Sequence, residues 1–436
     1  MDEAKHRATD AAAGLEARLA AALDRLAPPG ALGLAVSGGG DSVALLHLAH
    51  GWAQARGRTL AVATVDHGLR PEAAAEAAAV DRSAAALGLP HETLAAQLPA
   101  AGNRSAAARE ARLALLADWA GRRGLAAIAL AHTLDDQAET VLMRLARGSG
   151  VDGLAAMEEA RGMLGRLWLR PLLGERRETL RAWLRARGIG WVEDPSNADP
   201  AYERVRVRAA LPVLADLGIG AEALADTAAR LGRQRAVLEG AAASLARRCL
   251  TLGPAGEIRL DPAPLAEAAE ETALRLLARA IALLTDAPYP PRRAGLERLF
   301  AALTGPEGEG MALGGCLLVP LAGGGHALCR EPARLPPPLP ARAGAVWDAR
   351  IAATASPGAP ATIGALGAED LAALKADPPP DLPPAWWRAP RAARLAAPAL
   401  RDAEDRLIRV LAPELPGTEP FRDLVADRFA VLLRIA

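Results

Sequence analysis

The sequence predicts an α/β fold: a parallel five-stranded sheet wrapped by helices, followed by helical and small α+β C-terminal domains. Two observations carry that expectation. Apolar strand-like runs alternate with helix-like segments through the first half of the chain, and turn-forming residues punctuate the exchanges. Hydrophobic residues make up 51% and charged residues 23% of 436, the balance of a packed globular chain long enough for two or three domains.

The N-terminal stretch mixes acids and bases on an amphipathic helical pattern; without an uninterrupted apolar core it is not a signal peptide. "LGLAV" (32–36) reads as a buried strand, and a helix starts at Asp41 and runs to His50. "LAVATV" (60–65) is a second strand, followed by the loop 66–71 and an alanine-rich helix to about Leu87. A weaker strand covers His91–Leu94, ahead of a helix from Ser105 to Arg123. "LAAIALA" (125–131) precedes a helix over Leu134–Arg147, and "LWLRPLL" (167–173) precedes one over Arg176–Arg187. Strand and helix alternating in this way imply a parallel sheet, and ligands on such sheets bind beyond the carboxyl ends of the strands. Residues 37–42, 66–70 and 132–139 fall there.

From about Ile219 to Leu303 the pattern is helical, then glycine-rich and strand-like over 311–331. "LPPPLP" (335–340) reads as a proline-stiffened linker. The expected divisions are 1–215, a mainly helical 216–334, and a small accessory domain over 341–436.

Net charge is zero, so any nucleic-acid surface must be local. Only Lys5 and Lys375 are lysines; the remaining basic residues are arginines, whose planar, permanently charged fork suits phosphate. Cys249, Cys316 and Cys329 are far apart, which excludes a cysteine-only metal or iron–sulfur site within this chain and argues against a disulfide framework. No charge-free run of about 18 apolar residues occurs, so a cytoplasmic protein with no membrane partner is expected.

Residues 37–42, Ser-Gly-Gly-Gly-Asp-Ser, match neither common phosphate fingerprint. A Walker loop needs Gly-Lys-Ser/Thr, and a dinucleotide fingerprint needs glycine where Val43 stands. Ser-Gly-Gly-x-Asp-Ser fits at every position. Gly38, Gly39 and Gly40 leave no Cβ in the way, and successive N–H groups with the Ser37 and Ser42 hydroxyls can cradle anionic oxygens at a helix N-terminus. Asp41 suits such a site when a cation intervenes, which points to a magnesium–phosphate complex. A tight strand-to-helix turn would use the same residue types.

The loop resembles that of the PP-loop ATP pyrophosphatases. Six further segments narrow the resemblance to the tRNA(Ile)-lysidine synthetases: "VDHGLR" (65–70), "AAAREAR" (106–112), "AHTLDDQAET" (131–140), "RGSGVDGLAAM" (147–157), "RPLL" (170–173) and "EDPSN" (193–197). The resemblance covers about 35–215. It implies a Rossmann-like sheet of the adenine nucleotide α-hydrolase kind. The reaction it implies has ATP, with Mg2+, adenylating the C2 oxygen of the first-anticodon cytidine in a CAU isoleucine tRNA and releasing pyrophosphate. The ε-amine of L-lysine then attacks C2 and expels AMP. Departures from the family pattern are Thr133 where a second histidine is usual, Leu113 where an aromatic is usual, and Val205 where asparagine is usual.

Carried onto this sequence, the resemblance gives Ser37, Gly38, Gly39, Gly40, Asp41, Ser42 and His67 to the nucleotide, with Asp41 on the metal. Arg109, Arg112 and His132 are expected to serve adenylation; the two arginines could also hold tRNA or line a solvated basic face, and a lone histidine is more often structural. Asp136 and Glu139, three apart on one helix face, receive lysine; an acidic helix start favoured by the macrodipole would look the same. Asp135 is the expected helix N-terminal partner. Arg177, Arg181, Arg204 and Arg208 are the expected tRNA contacts, and a solvated basic face is the competing explanation for the first two. No protein partner is implied beyond a possible second copy of the chain. The alternatives are another PP-loop adenylating enzyme, either a tRNA-cytidine thiolase or a small-molecule synthetase or amidotransferase, and a non-catalytic nucleotide-binding regulator.

Overall fold

The computed structural model describes residues 2–66, 73–96, 104–193, 201, 203–287, 290–305, 310–411 and 421–434. His67 lies outside the described residues. The chain divides into two compact units, Met1–Arg235 and Ala236–Ala436, where the sequence reading expects three segments.

The first unit contains α1 (Asp2–Leu26), β1 (Leu32–Ala35), α2 (Gly40–Arg56), β2 (Leu60–Asp66), α3 (Ala73–Ala86), β3 (His91–Ala95) and α4 (Arg104–Arg122). It continues with β4 (Ala127–Ala129), α5 (Leu134–Leu145), α6 (Val151–Leu154), β5 (Ala160–Met163), β6 (Arg166–Leu169), α7 (Arg177–Ala186), α8 (Glu203–Asp216) and the start of α9 (Ala221–Cys249). Six strands form one sheet in the order β3-β2-β1-β4-β6-β5. All neighbours are parallel except β5, which runs antiparallel to β6. That sixth strand is absent from the sequence reading. It closes a hairpin at Leu164 and Gly165, with φ of 53° and 66°, so the turn takes the twist-matched geometry without the usual Asn-Gly signal.

Side chains alternate across the central strands. Leu32, Leu34, Val62, Ala127, Ala129 and Leu169 join α1, α2 and α7 in one core. Ala35, Ala61, Ala63, Ile128, Leu130 and Trp168 join α4 in another. Both faces are therefore buried, which explains why these strands read as continuous apolar runs rather than as alternating ones. Gly33 sits in mid-β1 because an added Cβ would lie 2.7 Å from the fully buried Trp119 ring. Replacing Trp119 by alanine should cost about 3–5 kcal/mol.

The chain lays down β1, β2 and β3 outward, then crosses back so that β4 pairs with the other side of β1. Leu34 thus has Val62 on one side and Ala129 on the other. The crevice beyond the carboxyl ends of β1 and β4 is the topological switch point, the usual ligand position on an open parallel sheet.

The second unit combines helices with small antiparallel sheets. Helices Glu270–Thr285 and Arg293–Thr304 pack on a five-stranded antiparallel sheet in the order Leu250–Leu252, Ile258–Leu260, His326–Arg330, Cys316–Pro320, Met311–Leu313. Two smaller antiparallel sheets of four and three strands follow. The proline segment expected as a linker is tied down: Leu339–Pro340 pairs with Thr362 and Ile363, and Pro337 O accepts from Trp347 Nε1 at 3.2 Å. Among the described residues no helix is long and apolar enough to cross a membrane.

Candidate active site

The glycine loop leaves β1 and becomes the first turn of α2. Gly38 has φ of 88°, a conformation that side chains with a Cβ rarely adopt. Its carbonyl accepts from Val192 N at 3.0 Å, which ties the loop to the segment after α7. Ser42 Oγ donates to Gly39 O at 2.8 Å and accepts from Ser37 N at 3.1 Å. With the Ser42 proton so used, the Ser37 hydroxyl is the donor across the 3.3 Å gap between the two oxygens. Gly39, the N-cap residue, supplies no side-chain cap to α2, so the first N–H groups of the helix remain available to an anion. Asp41 stands in that first turn with Oδ1 buried and unpartnered. Burial raises its pKa, opposed by the charge of Arg177.

Across the switch point, β4 leads through His132 into α5. Thr133 caps this helix. Its side chain accepts from Asp136 N at 3.3 Å, while Asp136 Oδ2 takes both the Thr133 N–H and the Thr133 hydroxyl at 2.9 Å. The position that departs from the family pattern is thus half of a capping box. Asp136, not the expected Asp135, closes that box. Asp135 instead accepts the backbone N–H of Arg177 at 2.7 Å and pairs with Arg176. Burial pushes the pKa of Asp136 up, but the charge of Arg177 and the Thr133 N–H outweigh it and leave it lowered. Glu139, one helical turn on, has no solvent exposure.

Arg177 joins the two sides. Its Nε donates to Asp41 Oδ2 at 3.0 Å, Nη2 to Asp136 Oδ1 at 3.1 Å, and Nη1 to Glu139 Oε1 at 3.4 Å. Desolvation lowers its pKa, yet the three carboxylates reverse this and raise it well above the ordinary value. Glu139 also meets Arg208, whose Nε donates to Oε1 at 2.8 Å, and Arg204, whose Nε lies 3.2 Å from Oε2. Three residues expected on a tRNA surface therefore reach into the acid cluster. The fourth, Arg181, pairs with Glu193 at 3.3 Å. The sequence pattern puts Arg177 on a basic helix face as an expected tRNA contact; nothing local marks its ion pairs, since the partners lie on α2 and α5.

His132 is half-buried, with Nδ1 lacking a partner. Burial holds its pKa far below 6.5 against the pull of Asp136, and the charges of Arg170, Arg112 and Arg204 act in the same direction as burial. The ring is neutral at physiological pH. Arg112 is half-buried on α4 and Arg109 exposed; burial and Arg109 lower the pKa of Arg112. The "RGSG" segment is tied to α5: Arg144 Nη1 donates to Gly153 O at 2.7 Å, and the Gln137 amide clamps the Met157 backbone through both of its atoms. Among the described residues no group of three or more His, Cys, Asp or Glu is arranged to hold a metal by itself.

Comparison with known proteins bears on this geometry. A family model described as "PP-loop domain" matches residues 12–214. The tRNA(Ile)-lysidine synthase of Ruegeria pomeroyi is 44% identical over 88% of this chain and 89% of its own. That of Methylobacterium nodulans is 47% identical over 72% of this chain and 94% of its own, and that of Mesorhizobium japonicum 40% identical over 90% and 86%. Identity at this level over nearly the full length of both partners is descent within one family, and this chain belongs to the tRNA(Ile)-lysidine synthases.

Proposed function

We propose that this chain ligates L-lysine to C2 of the first-anticodon cytidine of an AUA-reading isoleucine tRNA, consuming ATP and releasing pyrophosphate and AMP. Beyond family membership, the observation that carries the reading is the meeting of a glycine-rich helix N-terminus and two buried carboxylates, Asp136 and Glu139, at one switch point.

The triphosphate tail lies in the Gly38–Asp41 cradle, where backbone N–H groups hold its oxygens, joined by the Ser37 hydroxyl once it turns from Ser42. Asp41, with one buried oxygen unpartnered, fits a magnesium ion carried in by the phosphates, consistent with the preference of that ion for one or two carboxylates plus phosphate. When bound, the ion neutralises phosphate charge. Arg109 and Arg112 stabilise charge on the transferring adenylyl group. Neutral His132 accepts or donates one hydrogen bond at the adenylated oxygen without adding charge. The C2 oxygen attacks the α-phosphorus, and pyrophosphate leaves with the bonding pair.

In the second step Asp136 anchors the ε-ammonium; its lowered pKa keeps it ionised. Glu139 takes the proton that the amine must lose before it attacks. The new C2–N bond forms as the C2–O bond breaks, and AMP departs with that oxygen. Arg181, Arg204 and Arg208, each about a third exposed at the side chain, hold the RNA backbone at the rim.

Purified full-length protein incubated with radiolabelled lysine, ATP, Mg2+ and unmodified tRNA should place label in one nucleoside of isoleucine tRNA and release AMP only when lysine is present. AMP release without label in RNA, or no AMP release, would overturn the reading.

A further inference from the structure

The arrangement around Arg177 goes further than binding. One guanidinium serves three carboxylates from two helices and holds one oxygen of each. Asp41 uses only Oδ2 and leaves Oδ1 buried without a partner. Asp136 is anchored through Oδ2 by the Thr133 N–H and hydroxyl, so its Oδ1 faces Arg177. Glu139 shares Oε1 between Arg177 and Arg208, and Arg204 Nε lies 3.2 Å from its Oε2. Were the guanidinium withdrawn, Asp136 would stay in place, held by the cap of α5, with one oxygen open. That is a preformed receptor for an ammonium group.

Charge sets when the receptor opens. Asp41, Asp136 and Glu139 are balanced by Arg177, Arg204 and Arg208. Adding the lysine ammonium while Arg177 stays would bury surplus positive charge, which is costly. Adding the triphosphate brings negative charge to the cradle beside Asp41, which Arg177 already touches, and gives the guanidinium a second set of oxygens. The backbone of Arg177 is fixed at the start of α7, its N–H held by Asp135. Movement is thereby confined to the long side chain.

We infer that Arg177 is a resident counter-cation that holds Asp41, Asp136 and Glu139 in the lysine-free protein and releases Asp136 and Glu139 to the ε-ammonium when nucleotide phosphates draw its guanidinium to the glycine loop, so that ATP binds before lysine. This rests on the lysine-ligase reading above. Arg177 acts here as a positioning residue, through the acids it guards.

The test is direct binding by calorimetry on the full chain, using L-lysine with and without Mg2+ and α,β-methylene-ATP. If the open arrangement is populated to about a tenth without nucleotide, lysine binds wild type about tenfold more tightly once the analogue is present. In R177Q, lysine should bind without nucleotide as tightly as it binds loaded wild type, and the analogue should add nothing. R177K, whose ammonium cannot span three acids, should fall between. Equal lysine affinity in wild type with and without the analogue overturns the inference alone. So does loss of lysine binding in an R177Q protein that keeps its melting temperature, since Arg177 would then be a permanent strut. Wild type that binds no lysine under either condition overturns the ligase reading and this inference with it. If R177Q does not fold, the wild-type pair and R177K decide.

Discussion

In the second unit, Asp348 accepts from two arginines at once, Arg330 through Nη2 on Oδ1 and Arg350 through Nε on Oδ2, both at 2.7 Å. Each arginine also donates to a backbone carbonyl, Gly315 O and Ala396 O respectively. Both oxygens of the acid are occupied. In the first unit the sharing is inverted, with one arginine among three acids and Asp41 Oδ1 left buried without a partner. The same residue types thus build a closed joint and a network with an acceptor unmet. Buried acceptors without partners are costly, so the second network is a finished joint while the first keeps an unmet acceptor at Asp41.

Breaking the closed joint should cost most in stability. D348N removes the charge shared by two buried guanidinium groups and should destabilise the fold by about 3–5 kcal/mol, read from denaturant midpoints; a shift under 1 kcal/mol would mean the joint is not the strut described. D41N should instead leave the melting temperature near wild type while lysine-dependent AMP release falls on the order of 10²–10³-fold. A D41N enzyme with ordinary turnover removes Asp41 from the mechanism. G38A forces a Cβ into the left-handed backbone region and should cost about 1–2 kcal/mol, with weaker ATP binding as its second signature. T133A deletes half of the capping box at the start of α5, worth about 1 kcal/mol by thermal melting, and should weaken lysine binding by loosening Asp136.

The last contrast is in acid. Folded His132 stays neutral, so below its ordinary value of 6.5 the unfolded chain binds the extra proton and stability falls with pH. Asp136, its pKa lowered by folding, adds stability that is present above 3.8 and lost as pH falls through its folded value. H132Q should therefore lose less stability than wild type between pH 7 and pH 5, where Asp136 does not yet titrate in either state; identical slopes in urea titrations would refute this.

Much of the catalytic unit was legible because its physics is local. Buried parallel strands read as apolar runs, and Gly38 and Ser42 sit where a strand ends and a helix begins. Strand order was not legible, since the sequence shows alternation and not which edge a crossover takes; the hairpin at Leu164 and Gly165 carried too weak a turn signal. The Thr133-x-x-Asp136 spacing is a capping-box signal in the sequence, and it identifies the cap better than comparison with the usual histidine does. The ion pairs of Arg177 were hidden for a different reason. Helical periodicity assigns the residue to a face with Arg181 and Arg185, but its long side chain reaches the acids of α2 and α5, and no window along the chain contains both ends of that contact.

The hydrogen bond from Val192 N to Gly38 O limits how the protein can be cut. A fragment ending after the last strand of the parallel sheet, or at Gly190, would keep every residue of the phosphate loop but lose the amide that steadies its peptide. Such a fragment would look like a complete nucleotide module by composition and still grip its nucleotide loosely. The smallest portable version of this ATP site extends past residue 192.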